Sequence, residues 1–301
     1  MKGRWAVPVP ASRYFLEKIY SPSQNKTLLE RAEEYLKKGL YLEAAACYQE
    51  YLKLKPKDAS SWNNLGYCYL SLGYNKEALH AYRQALRFCP RDPAVAFNAG
   101  IAAQRLNLWS EAYNHFARAL RYGEKDACLW NNLGVCLFHL GRLKEAIQCY
   151  RRALTLEPKD TQLWLNLGQT LAANKRWLEA VHCYEQALRL RPQDPFCLQV
   201  TAQFLMSLGK EALALTYLEK AIDLAPHDEE CHLAYAGSLV RLGRHEEALL
   251  FLEKLLERFP QSSRAWEIKG DIYAKLNLEE EAVYCYNKAL GLPQALNIKS
   301  L

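Results

Sequence analysis

One spacing constrains this chain more than its composition does: small and aromatic residues return every 34 positions along 301 residues. Alanine recurs at Ala44, Ala78, Ala112, Ala146, Ala180, Ala214, Ala248 and Ala282, with no insertion or deletion between copies. The cleanest copy is 59–92, ASSWNNLGYCYLSLGYNKEALHAYRQALRFCPRD. Within it Trp62, Leu65, Gly66 and Tyr69 fall on one side of a first helical segment. Ala78, Tyr82 and Ala85 fall on one side of a second, and Pro90 stops that helix. Each copy has an apolar face that only the next copy can cover, so the chain must stack its units in a line.

The register divides the chain into an extension, 1–24, eight units, and a tail, 297–301. The units are 25–58, 59–92, 93–126, 127–160, 161–194, 195–228, 229–262 and 263–296. The recurring alanine lets two helices approach closely, where a larger side chain would force them apart. Rings four residues on (Tyr48, Tyr82, Phe116, Tyr150, Tyr184 and Tyr286) fill the space beside it. Gly39, Gly73, Gly141, Gly209 and Gly243 stand between the helices, where a positive φ is expected. Asn107 and Asn277, the next most tolerant residue type, take that place in two other units, and Lys175 is the exception. In the extension, Arg13 to Tyr20 reads as two helical turns that cap the first unit or enter the array's own groove. The ending GLPQALNIKSL reads as a partial cap, a homodimer seam or the scar of a truncation.

The spelling W-x2-L-G-x2-Y, then A-x3-F, then P resembles the tetratricopeptide repeat (TPR), and it does so over nearly the whole chain. The resemblance implies an all-α fold: an α-solenoid of eight 34-residue helix-turn-helix TPR units in a right-handed superhelix. It also implies that the first helices line the concave side.

Composition narrows the functional classes. Net charge is +6, with Lys and Arg scattered singly, which reads as solvated surface and argues against nucleic acid. No run reaches ~18 apolar residues, so no membrane span is expected. The amino terminus lacks a signal-peptide core, broken as it is by Pro8 and Pro10. Ten cysteines include no CxxC pair. Cys47, Cys149, Cys183 and Cys285 share one repeat position, and Cys68 and Cys136 share another. Residues that recur with the repeat are packing residues, and free packed thiols suit a reducing, cytoplasmic setting. No HExxH, GxSxG, P-loop or GxGxxG occurs, so no enzyme activity, metal or cofactor is expected.

Function is sought at first-helix positions that the family resemblance places on the groove. The sixth position of consecutive units reads Asn64, Asn98, Asn132 and Asn166. Asparagine is a poor helix former that competes with the backbone for hydrogen bonds, so four in one register call for a compensating role. A carboxamide both donates and accepts, so it can grip one peptide group of a partner chain. Peptide-binding superhelices of the family use groove asparagines in this way, and the sequence is similar to them here. Between the rungs lie Asn63, Tyr67, Phe97, Arg105, Asn131, Phe138, His139 and Gln169, with Arg105 and His139 favouring acidic side chains. First helices about 10 Å apart and a peptide advancing about 3.3 Å per residue give one rung for roughly every third residue.

The same asparagines have a second reading, as a habit of the repeat that only bonds the neighbouring unit. Further along, Val200, Met206, Leu233, Val240 and Ile268, with Arg241 and Lys275, either hold a partner's helix or pack between units. The residue set of a chaperone-tail clamp is missing. Three roles follow: a non-enzymatic scaffold for an extended protein or peptide segment, a self-assembling structural protein that forms a homo-oligomer through its C-terminal end, or the repeat subunit of a multi-subunit enzyme. A peptide-pheromone sensor is a weaker variant of the first.

Overall fold

The computed structural model describes residues 27–123 and 126–292. The helical turns expected at Arg13 to Tyr20 and the ending from Pro293 lie outside the described residues. The described chain forms sixteen α-helices arranged as eight hairpins. They divide into two compact units, one ending at Leu156 and one beginning at Glu157.

The first unit holds α1 (Leu28–Lys37) with α2 (Tyr41–Leu54), and α3 (Ala59–Ser71) with α4 (Asn75–Phe88). It continues with α5 (Pro93–Arg105) and α6 (Trp109–Tyr122), then α7 (Ala127–His139) and α8 (Leu143–Leu156). The second unit holds α9 (Thr161–Ala173) with α10 (Trp177–Leu190), and α11 (Pro195–Ser207) with α12 (Glu211–Leu224). Its last hairpins are α13 (Glu229–Arg241) with α14 (His245–Arg258), and α15 (Ser263–Lys275) with α16 (Glu279–Ala289).

Local chemistry sets each helix boundary. An aspartate caps most of the first helices: the Asp92 carboxylate accepts from the amides of Ala94 and Val95 at 2.9 and 3.1 Å. Asp58, Asp126, Asp160, Asp194 and Asp228 take the same place, and Thr27 and Ser262 serve at the two ends. Each such cap stabilises its helix by about 1 kcal/mol. At the other end α3 closes with a left-handed residue, Gly73 at φ +81°. The Tyr74 amide then reaches back to the Tyr69 carbonyl at 2.9 Å, which satisfies a carbonyl the helix leaves open.

The 34-residue period has two packing causes. The recurring alanines are buried, all but Ala282 with no exposure. Beside them the aromatic ring of the second helix crosses the first helix at a glycine. A methyl added at Gly66 would sit 2.7 Å from the Tyr82 ring, and one at Gly100 would sit 2.6 Å from Phe116. The tryptophans join hairpin to hairpin: the Trp62, Trp164 and Trp266 indoles donate to the carbonyls of Pro56, Pro158 and Pro260. The motif's tryptophan and proline are thus two ends of one hydrogen bond.

Candidate peptide-contact face

In the first unit the asparagines stand on neighbouring first helices but hold three different states. Asn64, half-buried on α3, donates through Nδ2 to the Tyr48 hydroxyl of α2 at 3.1 Å. Tyr48 has no exposed surface, and burial pushes its phenol up to about 12, opposed by the bond from Asn64. Asn98, half-buried on α5, donates instead to Asn63 Oδ1 on α3 at 3.3 Å. Asn132 on α7 is 8% exposed, and its amide turns to the Cys128 thiol one turn earlier at 3.5 Å. Asn64 and Asn98 each spend one donor on the protein, and among the described residues no donor reaches their Oδ1 atoms.

Further residues complete this face. Tyr67 is 44% exposed and meets Tyr41 edge-on with centroids 6.0 Å apart. Phe97 is half-buried, packs edge-on against Phe116, and lines with Asn98 and Leu129 a cleft of about 220 Å³. Arg105 donates to the Leu70 carbonyl at 3.0 Å, so its charge lies against the negative end of α3. His139 stacks on Trp109 with ring centroids 3.8 Å apart and touches Phe138 edge-on. Asn131 is half-buried and engaged by the protein itself.

Asn166 and Gln169 belong to the second unit, on α9. The Asn166 carboxamide accepts from Gln162 at 2.9 Å, and Gln169 is exposed. Four of the apolar residues expected on this unit's first helices are engaged in packing. Leu233 is buried, with Val240 and Ile268 against the same cluster, and Met206 packs on the cluster of Leu205 and Leu218. Arg241 is engaged with Glu211 and Ser238. For Met206, Leu233, Val240 and Ile268, packing between neighbouring hairpins is the reading observed.

Most thiols are also packing residues. Eight of the ten cysteines are buried, while Cys89 and Cys128 are exposed. Burial pushes the Cys68 and Cys136 thiols up to about 12. No helix of the described residues is long and apolar enough to cross a membrane.

Five family models, each described as tetratricopeptide repeat, match residues 29–93, 127–160, 161–194, 205–272 and 263–295. The chain belongs to the tetratricopeptide repeat family. Among solved structures, a TPR protein from Parabacteroides merdae superposes with a TM-score of 0.64 at 17% identity, covering 80% of this chain and 95% of its own. YrrB, a TPR protein with an unusual peptide-binding site, gives 0.51 at 24% identity, covering 62% of this chain and 97% of its own. Pseudomonas aeruginosa PilF gives 0.55 at 22% identity, with coverages of 71% and 97%. No curated protein matches the chain by sequence. At these identities the solved structures establish the TPR fold.

Tyr48 and Tyr82, expected as packing rings alone, also bring buried hydroxyls beneath the first helices. The signal was present. The ring position holds Tyr in some repeats and Phe116 in another, and Asn64 follows Tyr48 by sixteen residues.

Proposed function

We propose that this TPR chain is a non-enzymatic scaffold that binds an extended peptide or disordered segment along the first helices of its first unit. The observation that carries this is the pair of open carboxamide oxygens on Asn64 and Asn98, each held in place by the donor the residue spends on the protein. An acceptor fixed by its own NH2 group is preorganised for a partner's backbone N–H, and the second amide hydrogen remains for the partner's carbonyl. Two or three such contacts at about 0.5–1.5 kcal/mol each fall short of the roughly 8 kcal/mol of micromolar binding. Tyr67, Phe97 and His139 supply the remaining contact area, and Arg105 favours an acidic side chain. That YrrB, of similar fold, is described with a peptide-binding site supports the class of partner.

The test removes both partners of one bond, so that neither is left unpaired. The double variant Asn63→Ala with Asn98→Ala should keep its melting temperature. Its affinity for a 12-residue peptide, selected from a random library on the wild-type chain, should fall at least about tenfold, or 1.4 kcal/mol. Unchanged affinity overturns the reading.

A second reading, self-assembly, has its own observation. Val283 on α16 and Leu290, which caps its end, are 55% and 71% exposed, whereas their counterparts Leu79 and Leu86 are buried. Light scattering at high concentration, with Val283→Lys and Leu290→Lys as controls, decides it: a strict monomer removes this reading.

A further inference from the structure

Among the described residues three buried side-chain polar atoms lack a hydrogen-bond partner, on Asn75, Tyr82 and His245, and of these the Tyr82 hydroxyl has an equivalent one repeat earlier that is satisfied. The side chain has no exposed surface, and its hydroxyl has no hydrogen-bond partner. The equivalent hydroxyl one repeat earlier, on Tyr48, is satisfied by Asn64, sixteen residues on. Sixteen residues on from Tyr82 stands Asn98, on the first helix of the next hairpin, as Asn64 does for Tyr48. The Tyr82 ring crosses α3 at Gly66, and α3 borders α5, the helix that carries Asn98. The Asn98 amide is turned to Asn63 Oδ1 at 3.3 Å and makes no bond to this hydroxyl.

We infer that the Asn98 carboxamide has two stations, Asn63 in the empty protein and the Tyr82 hydroxyl when a partner's peptide group occupies Asn63. The inference rests on the peptide-scaffold reading for its occupant. The physical argument is one of compensation. An unpaired buried hydroxyl costs free energy that is recovered when a donor reaches it. A peptide that takes the Asn63 carboxamide breaks the long Asn63–Asn98 bond, and the freed Asn98 amide turns to the waiting hydroxyl. The empty unit therefore stores an unmet bond that peptide engagement satisfies. Tyr82, which never touches the peptide, becomes a positioning residue for affinity. Asn64 has no such second station, since its hydroxyl is met from the start.

The experiment needs no peptide in its first arm. Melting temperatures are measured for wild type, Tyr82→Phe, Asn63→Ala and the double variant. Removing an unpaired hydroxyl should leave the wild-type melting temperature unchanged or raised. In the Asn63→Ala background, where Asn98 is already released onto Tyr82, the same change should lower it by about 2–4 °C. A merely structural Tyr82 would respond equally in both backgrounds, and that result overturns the inference. In the second arm, the library-selected 12-residue peptide should bind Tyr82→Phe several-fold more weakly than wild type, and Asn98→Ala should abolish that sensitivity. Loss of the second arm with the first intact would remove the peptide as occupant while leaving the two stations of Asn98.

Discussion

The Asn64 amide donates to the hydroxyl of Tyr48, 3.1 Å away on the preceding hairpin, and this bond ties the sixth position of one repeat to the core ring of another. The residue proposed to face a partner is also a stacking contact, so the two readings of the asparagines are not exclusive. Asn98 pairs instead with Asn63, and Asn132 is withdrawn beside Cys128.

Asn64 and Asn98 should therefore respond differently to the same substitution. Asn64→Ala strands a fully buried Tyr48 hydroxyl, at a cost of about 1–2 kcal/mol. Asn98→Ala leaves only the half-buried Asn63 carboxamide, which water can reach, and alanine's better helix propensity offsets the loss. Urea midpoints should fall for the first variant and stay put for the second. Equal losses would show that Asn98 carries a structural bond of the Asn64 kind.

Glycine positions that look equivalent in the sequence also separate. A methyl at Gly66 meets the Tyr82 ring at 2.7 Å, whereas at Gly168 the nearest atoms, of Cys183 and Tyr184, lie at 3.2 Å. Gly66→Ala should destabilise by about 1–2 kcal/mol, overpacking exceeding the helix-propensity gain. Gly168→Ala should be neutral or slightly stabilising in the same denaturation experiment.

Helix positions and the buried ring, alanine and glycine stripe were legible because each is dictated by residues at fixed offsets within the period. The state of each carboxamide was not. Asn64, Asn98 and Asn132 are identical in the repeat frame, and their differences come from neighbours in other hairpins: a tyrosine at position 48, a phenylalanine at position 116, a second asparagine at position 63. The aspartate caps were readable too, since Asp58, Asp92, Asp126, Asp160, Asp194 and Asp228 directly precede the first helices. In the second unit, the sequence left Val240 and Ile268 open between docking and packing, because an apolar residue at such a position is the same letter in either role.

Lys175 carries a backbone conformation that suits glycine. It sits at φ +60°, where Gly73 and Gly141 stand in other hairpins at +81° and +73°. Lys175→Gly should stabilise the second unit by about 0.5 kcal/mol, the relief of left-handed strain exceeding glycine's added freedom in the unfolded chain. Asn107→Gly should do less, since asparagine tolerates this region. Denaturation midpoints order the two.

Thiol reactivity should divide the cysteines two to eight. Cys89 and Cys128 are exposed and the others buried, so iodoacetamide on the native chain should label those two first. The rest should react only as the protein opens. Rapid native labelling of Cys68 would contradict its burial on the inner face of α3.

The same burial gives the fold an alkaline limit. Cys47 and Cys149 are pushed from the ordinary 9.0 up to about 11, and Cys68 and Cys136 up to about 12, burial being the largest cause in each. Below about pH 9 both folded and unfolded chains hold these protons, and their contribution to stability is fully present. Above it the unfolded chain releases protons that the folded chain keeps, so stability falls as pH climbs toward the folded values, each buried thiol contributing a slope of up to about 1.4 kcal/mol per pH unit. Urea midpoints taken from pH 7 to pH 10 should be flat at first and then decline. Replacing Cys68 and Cys136 together with alanine should lower the midpoint slightly at every pH, through the small cavities left, but should make the decline above pH 9 shallower. A decline of unchanged steepness would assign the alkaline loss to other groups, foremost the buried phenols of Tyr48 and Tyr69, both pushed up to about 12.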